Sequence, residues 1–301
     1  KTGRRPVPPR STVGSAPATS GTVRGRRDLW RALGPGVLFT GAAVGVSHLV
    51  QSTRAGARYG LALLGLVVVA NLLKYPAFRF GPLYAAATGT SLLEGYRRRG
   101  RWALVLYGLL TLGTMFTVQA GVTLVTAGLA KALFGLDTSP LVLSALLLAG
   151  SVGLVASGGY RWLDRVGKVV VSLLALSTLV ATALVLPRLG GALRLWPDLG
   201  AFDAADLAFA VALVGWMPSA IDVAVWQSLW TLARGAATGG GATPRAASLD
   251  FHLGYLGTAL LALCFVVLGA AVLHREGVAS AARAGAFAAQ LIDLYASALG
   301  A

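Results

Sequence analysis

Val44-Gly45-Val46-Ser47-His48 and Gly215-Trp216-Met217-Pro218-Ser219 are the two stretches that decide the fold of this 301-residue chain. Each lies near the middle of an apolar segment, the first within residues 33–57 and the second within residues 207–232. The residues in these stretches predict a break in each membrane helix, and unwound backbone in hydrocarbon leaves N–H and C=O groups without partners. Two broken spans in matching positions indicate a binding site at the breaks.

The composition is that of a polytopic membrane protein in a lipid bilayer. Hydrophobic residues make up 56% of the chain, charged residues only 12%, and the mean hydropathy is +0.71, whereas soluble domains carry roughly a quarter charged residues. The net charge is +15, and many basic residues precede the first span, where the positive-inside rule accounts for them, so no nucleic-acid partner is expected. These residues are Lys1, Arg4, Arg5, Arg10, Arg24, Arg26, Arg27 and Arg31. The single cysteine, Cys264, excludes an intrachain disulfide and a cysteine-based metal site.

The apolar segments predict an all-α integral membrane fold with seven complete spans and part of an eighth. At about 20 residues per span, they fall at 33–57, 61–80, 102–132, 139–157, 166–187, 207–232 and 251–273, and the eighth begins near Phe287. Residues 1–30 are predicted to be a basic, disordered cytoplasmic tail, and residues 31–301 the transmembrane domain. Broken spans one and six stand five helices apart, as in two inverted repeats of five. The second repeat is incomplete, so we expect a chain shortened at its C-terminal end.

The charges in the loops predict the orientation in the membrane. Basic residues gather at 97–101, 161–168 and 234–245, and the intervening loops contain acidic residues and fewer basic ones, at Asp137, Asp198, Asp203 and Glu276. This alternation predicts a multi-pass protein of the cytoplasmic membrane with its N-terminus inside the cell. Lys74 and Arg79, at the predicted inner end of span two, are expected to extend to the interface.

Asp222 is the only carboxylate near the middle of a predicted span. A charge at that depth costs at least about 2.5 kcal/mol on insertion scales. Ser219 precedes it by three residues, which predicts that both lie on one face of the helix after the break. Two roles stay open for Asp222: pairing with a basic group or capping the restarting helix, and contact with a substrate directly or through a neighbour.

His48 follows the first break, with Gln51 and Ser52 on the same helical face. An imidazole ligates transition metals or accepts a proton near neutral pH, but it also serves as a hydrogen-bond partner between helices. We predict that His48 contacts the substrate and that Ser47 and Gln51 lie next to the site or along the substrate pathway.

Met217 offers a thioether inside the second break, which suits softer transition metals; core packing is the alternative. Unwound carbonyls such as those of Val214 and Gly45 would add oxygen ligands. Thr117 and Gln119 form part of a polar stripe on span three, which either packs helices closely or lines an aqueous path.

No nucleotide-binding loop, hydrolase triad or paired-carboxylate site occurs in the sequence, so we expect neither an enzyme nor a cofactor. The number of chains in the assembly is not indicated.

Several of these motifs together resemble the Nramp family of divalent-metal transporters. They are Gly34-Pro35-Gly36, the break with His48, Gly215-Trp216-Met217-Pro218, Asp250, and Gln290-Leu291-Ile292-Asp293-Leu294-Tyr295. The resemblance covers most of residues 30–301 and implies the LeuT-type inverted-repeat fold, usually with eleven spans.

The resemblance also implies a ligand set. Typical members read Asp-Pro-Gly-Asn at the first break and Met-Pro-His at the second, and the Asp, the Asn, the Met and a backbone carbonyl bind the metal. In this sequence the Asp position falls on Gly45, the Asn position on His48 and the carbonyl on Val214, whereas Met217 is retained and the His is Ser219.

The main anionic ligand is therefore replaced by Gly45, and Asp222 is the candidate for the compensating charge that a divalent ion requires. The acidic residues of the family's proton path are also missing, with Thr117 and Ala120 near those positions, so proton coupling of the usual kind is not expected.

The resulting prediction is a secondary transporter that moves a divalent cation, Mn²⁺ or Fe²⁺ by default and Mg²⁺ as a variant, by alternating access. Two alternatives stay open. The first is a carrier of a small organic solute on the same fold, and the second is a membrane sensor or scaffold that transports nothing.

Overall fold

The computed structural model describes residues 34–190, 194–238, 243–281 and 283–300; the predicted tail at 1–30 lies outside them. These residues form helices and turns without any β-strand. The α-helices are α1 Pro35–Ala43, α2 Thr53–Tyr59, α3 Leu64–Thr88, α4 Leu92–Arg99, α5 Arg101–Phe134, α6 Pro140–Val185, α7 Ala204–Trp216, α8 Val223–Thr238, α9 Pro244–Leu268 and α10 Ala284–Leu299. Within the described ranges, four apolar helical stretches have the length of a membrane span: Arg101–Phe134, Pro140–Ser157, Asp164–Leu189 and Pro244–His274.

The first predicted break is present as a change of helix type. Helix α1 passes into a π-helical segment, Val44–Ser52, before α2 begins at Thr53. Gly45 within that segment has non-helical backbone angles, φ −60° and ψ −122°. π-Helical turns inside α-helices frequently occur at functional sites, so the interruption falls where the sequence predicts it.

The second break separates α7 from α8. Met217 is extended (φ −87°, ψ 132°) and ends α7, and the backbone carbonyl of Asp222 accepts the first hydrogen bonds of α8 from Val225 and Trp226. The predicted shared helical face of Ser219 and Asp222 is therefore wrong. Both residues precede Val223, where α8 begins, because the unwound segment is longer than the sequence indicates.

Spans four and five, predicted as separate helices, are joined in α6. The stretch at 158–165 contains no proline, and its backbone hydrogen bonding continues without a turn. At 1.5 Å per residue α6 is about 69 Å long, more than twice the roughly 30 Å hydrocarbon core of a bilayer. The basic residues expected in a loop lie along this helix, where Lys168 pairs with Asp164 at 2.6 Å.

Helix α3 corrects the prediction for Lys74. The helix continues to Thr88, beyond the predicted end of span two at residue 80, so Lys74 lies near its middle. From there the ammonium group does not reach for the interface but binds the C-terminal end of α7.

Both halves of the first span are fixed by close backbone contacts to α9 and to its π-helical extension, Gly269–His274. A Cβ on Gly254 would lie 2.3 Å from the carbonyl oxygen of Gly36, and a Cβ on Gly269 would lie 2.2 Å from that of Thr53. Asp250 adds two hydrogen bonds to the start of α1. The glycines matter because only a residue without a Cβ permits this approach.

The predicted eighth span is confirmed as α10, which begins three residues before Phe287. Phe287 is 1% exposed, and Leu291 and Leu294 are also buried. Helix α10 thus packs its apolar side against the bundle.

Candidate functional site

The two broken spans meet at Ser52 and Met217. The Ser52 hydroxyl points toward the thioether sulfur of Met217, with 4.0 Å between Oγ and Sδ. Both side chains are completely buried, and Met217 packs among Val67, Ala70 and Leu213. The position of Met217 in an extended segment, not in a helix, brings its sulfur to the crossing of the two spans.

His48 fastens the first span to α9. Its Nε2 lies 3.0 Å from the carbonyl oxygen of Thr258 and must carry a proton, because a carbonyl only accepts. Its Nδ1 lies 2.8 Å from Oγ of Ser47, whose hydroxyl also contacts the carbonyl oxygen of Ala43. Both ring nitrogens are engaged with protein groups, so a metal ion at His48 would have to displace Ser47 or Thr258.

Gly45 borders a cavity of about 860 Å³ between the first span, α5, α6, α8 and α10. The walls are mainly apolar, with Leu49, Trp230 and Tyr295 among them. A Cβ on Gly45 would meet nothing within 4 Å. The space beside this backbone is therefore open to a larger side chain or to a bound molecule.

The carbonyl that the resemblance assigns to the metal is already occupied by a cation from the chain itself. Nζ of Lys74 donates to the carbonyl oxygens of Val214 at 2.6 Å and Gly215 at 2.7 Å. The last carbonyls of a helix lack partners within the helix and carry its negative dipole end. Lys74 therefore neutralises the end of α7 at the second break.

Asp222 faces a different space from Gly45. It lines a cavity of about 440 Å³ between α3, α5 and the second break, together with Lys74, Trp216 and Ser219. Oδ1 of Asp222 is buried without a hydrogen-bond partner among the described residues. The structure thus separates the candidate compensating charge from the open space beside Gly45.

The remaining predicted residues do not gather at one point. Oε1 of Gln51 is buried and lacks a partner within the described ranges. Thr117 is on an exposed part of α5, and Gln119, on the same helix, donates to Thr123 at 3.1 Å. An aqueous path through Thr117 and Gln119 stays a prediction.

A metal ion at the breaks would depend on scattered donors. In the part of the chain that the structure describes, no three His, Cys, Asp or Glu side chains lie close enough to hold an ion together. Among the described residues, donors at the breaks include the sulfur of Met217, the hydroxyl of Ser52, the amide oxygen of Gln51 and backbone carbonyls, a mixture of soft and hard ligands.

Lys74 and Thr258 are the residues that the sequence analysis did not assign to the site. For Lys74 a signal existed, because an ammonium group within an apolar helix is costly unless it has a partner. For Thr258 none existed, because its backbone carbonyl, not its side chain, makes the contact with His48.

Three comparisons with known proteins agree with this architecture. The sequence profile described as natural resistance-associated macrophage protein-like matches residues 36–300. An uncharacterized protein of Pasteurella multocida is 36% identical over 272 residues, which cover 89% of this chain and 62% of that protein. The crystal structure of a manganese transporter from Eremococcus coleocola, in complex with an aromatic bis-isothiourea substituted compound, superposes with a TM-score of 0.53 at 16% identity.

That superposition covers 91% of this chain and 62% of the transporter, so the chain spans less than two thirds of the length of these relatives. It confirms the predicted LeuT-type inverted-repeat fold. Together with the family match over nearly the whole described chain, it shows that this protein is a member of the Nramp family.

Proposed function

We propose that this chain belongs to a secondary transporter that moves a divalent metal cation across the cytoplasmic membrane by alternating access around the two breaks. Family membership supports the class of activity. Mn²⁺ or Fe²⁺ is the default substrate, with Mg²⁺ as a variant, and the N-terminus lies inside the cell. The substrate is cargo, and the protein requires no cofactor for this activity.

The contact between Ser52 and Met217 carries the proposal. It joins the two broken spans through a thioether that is 0% exposed. Sulfur ligands favour softer transition metals over Mg²⁺. Because the two spans must separate or rotate in alternating access, a ligand pair that bridges them couples ion binding to that movement.

The site lacks negative charge, and this limits how strongly it can bind a divalent ion. A divalent ion in a dry site needs compensating negative charge, but the structure has glycine at position 45 and directs Asp222 to another cavity. The site therefore binds metal weakly in this conformation. Position 45 is glycine and has no carboxylate, so metal binding releases no proton from that position.

Metal titration of the purified full chain tests the proposal. Cd²⁺ is a suitable soft probe, and Mn²⁺ is the second ligand. Met217→Leu keeps the side chain's volume but removes the sulfur, and we expect Cd²⁺ binding to weaken by about tenfold, the equivalent of about 1.4 kcal/mol. Met115→Leu is the matched control, because Met115 is the other methionine of the chain and lies exposed on α5. Equal affinities in the two variants, or no metal binding by the wild type, would refute the proposal.

The cavity that contains Lys74 and Asp222 favours a second candidate, a carrier of a small organic solute. It offers an ammonium group, a carboxylate with a free oxygen and the aromatic rings of Trp216 and Tyr107, which suit a zwitterionic molecule. If Asp222→Asn abolishes uptake of such a solute while metal binding stays undetectable, this function replaces the first.

A further inference from the structure

A pocket rich in arginine lies at the end of the bundle where α2, the end of α6 and the extension of α9 come together. It has a volume of about 760 Å³. Four arginines and one histidine line it, and the described lining residues include no carboxylate. The basic residues are Arg58, Arg188, Arg194, His274 and Arg275. The chain segments that carry them are far apart in sequence, so the fold itself gathers these charges.

Among the residues that the structure describes, only one of the four guanidinium groups has a carboxylate partner. Arg58 pairs with Asp206 at 2.5 Å. Arg188 binds the carbonyl oxygen and the hydroxyl of Ser297, and Arg275 binds the carbonyl oxygen of Arg188. These neutral acceptors satisfy donors without neutralising charge. The pocket therefore keeps three uncompensated positive charges, four arginines less the one paired with Asp206.

Arg194 indicates that the basic cluster does not simply stabilise the packing of the helices. The guanidinium makes no hydrogen bond or ion pair with any residue in the described ranges, and the side chain is exposed at the pocket. Bringing such a charge beside Arg188 and Arg275 is electrostatically unfavourable unless a counter-ion is present.

The location strengthens this point. In the predicted topology this end of the bundle faces away from the cytoplasm. Short loops on that side of a membrane usually contain few arginine and lysine residues. His274 belongs to the same wall: its Nδ1 lies 3.0 Å from the carbonyl oxygen of Ala57, and its ring covers Gly60, whose Cβ would lie 3.3 Å from it. The α2 end and the α9 extension thus form a fixed wall on which the arginines are held.

We propose that this pocket binds a phosphate-bearing molecule with at least two negative charges. The planar guanidinium groups match phosphate oxygens in bidentate geometry, and the volume exceeds that of a single inorganic phosphate and suits a small organic ligand. Two sources share this chemistry: a soluble di- or polyphosphate compound and the doubly charged headgroup of a phospholipid such as cardiolipin. The site is independent of the metal site at the breaks, so either can fail without the other.

The test uses the purified full chain in phosphatidylcholine nanodiscs. Pyrophosphate binding is measured by calorimetry in these nanodiscs. Cardiolipin retention is measured by native mass spectrometry in a second preparation of nanodiscs that also contains cardiolipin. Arg194→Gln is the informative variant because, within the described ranges, the guanidinium makes no hydrogen bond or ion pair that the substitution would remove. Arg245→Gln, an exposed arginine at the start of α9, is the matched control.

We expect Arg194→Gln to weaken binding of the anion by about tenfold, because the variant loses a charge-assisted hydrogen bond to it. Arg245→Gln should leave binding unchanged. Binding of pyrophosphate supports a soluble ligand, and retention of cardiolipin alone supports a lipid headgroup. The proposal is overturned if the wild type binds neither, or if both variants weaken binding equally.

Discussion

The ammonium group of Lys74 lies 2.6 Å from the carbonyl oxygen of Val214, across 140 residues of sequence. The resemblance to the family assigns this carbonyl to the transported cation, but here it is bound by a positive charge of the chain. Two cations at one carbonyl repel each other strongly in a medium of low dielectric constant. In this conformation Lys74 therefore occupies the carbonyl that the resemblance assigns to the metal.

Lys74→Met is expected to favour metal binding at the second break. Removal of the ammonium frees the carbonyl oxygens of Val214 and Gly215, so Cd²⁺ and Mn²⁺ should bind about tenfold more tightly, as calorimetry would show. Without metal, the two carbonyls lose their donor, which costs roughly 1–3 kcal/mol and lowers the melting temperature.

Arg79→Met is the control for Lys74→Met, because Arg79 is an exposed cation of the same helix. It should change neither metal affinity nor stability appreciably. An unchanged metal affinity in Lys74→Met would show that the Val214 carbonyl is not a ligand in any accessible state.

Gly45→Asp should create a stronger metal site. A Cβ at this position meets nothing within 4 Å, so the carboxylate has room beside the first break. The added negative charge compensates a divalent ion, and we expect Mn²⁺ to bind at least about tenfold more tightly in a calorimetric titration. Gly45→Asn has the same shape without the charge, and an equal gain in that variant would contradict the electrostatic explanation.

Gly254→Ala should destabilise the bundle. The new methyl group would lie 2.3 Å from the carbonyl oxygen of Gly36, so α1 and α9 must move apart, at a cost of about 1–3 kcal/mol. Gly257→Ala on the same helix adds a methyl group to open space and should be neutral or slightly stabilising. Thermal unfolding in detergent compares the two, and similar melting temperatures would show that the close contact is absent.

Asp250→Asn should loosen the start of α1. The carboxylate accepts hydrogen bonds from the backbone N–H groups of Gly34 at 2.8 Å and Gly36 at 2.7 Å. An amide has one acceptor oxygen and lacks the charge, so roughly 1–3 kcal/mol of stability is lost. Hydrogen exchange at residues 36–44 should accelerate, whereas Asp293→Asn, at an exposed position of α10, should leave it unchanged. Slow exchange in both variants would mean that the first half-span is held by other contacts.

The position of each break was predictable because its cause is local. Gly45 and the Met217-Pro218 pair lie within the predicted interruptions, and the structure changes helix type or unwinds there. The helix after the second break was less predictable. Ser219 and Asp222 have helical spacing in the sequence, but the unwound segment extends to Val223, and no residue between them indicates where hydrogen bonding resumes.

The separation of spans four and five was predicted from charges at 161–168, and the structure replaces the loop with a continuous helix. Charged residues do not end a helix by themselves, because their side chains pair along it, as Lys168 does with Asp164. Only proline or a glycine in a left-handed conformation would have stopped α6 locally.

By itself the sequence determined the class of the fold, because the lengths of the apolar segments and the two breaks depend on residues that are neighbours in the chain. The tertiary structure decided which groups meet at those breaks. His48 binds the carbonyl of Thr258 across 210 residues, and Lys74 binds that of Val214. Backbone carbonyls are identical at every position of a sequence, so only the packing of the spans selects the ones that bind a histidine, a lysine or a metal ion.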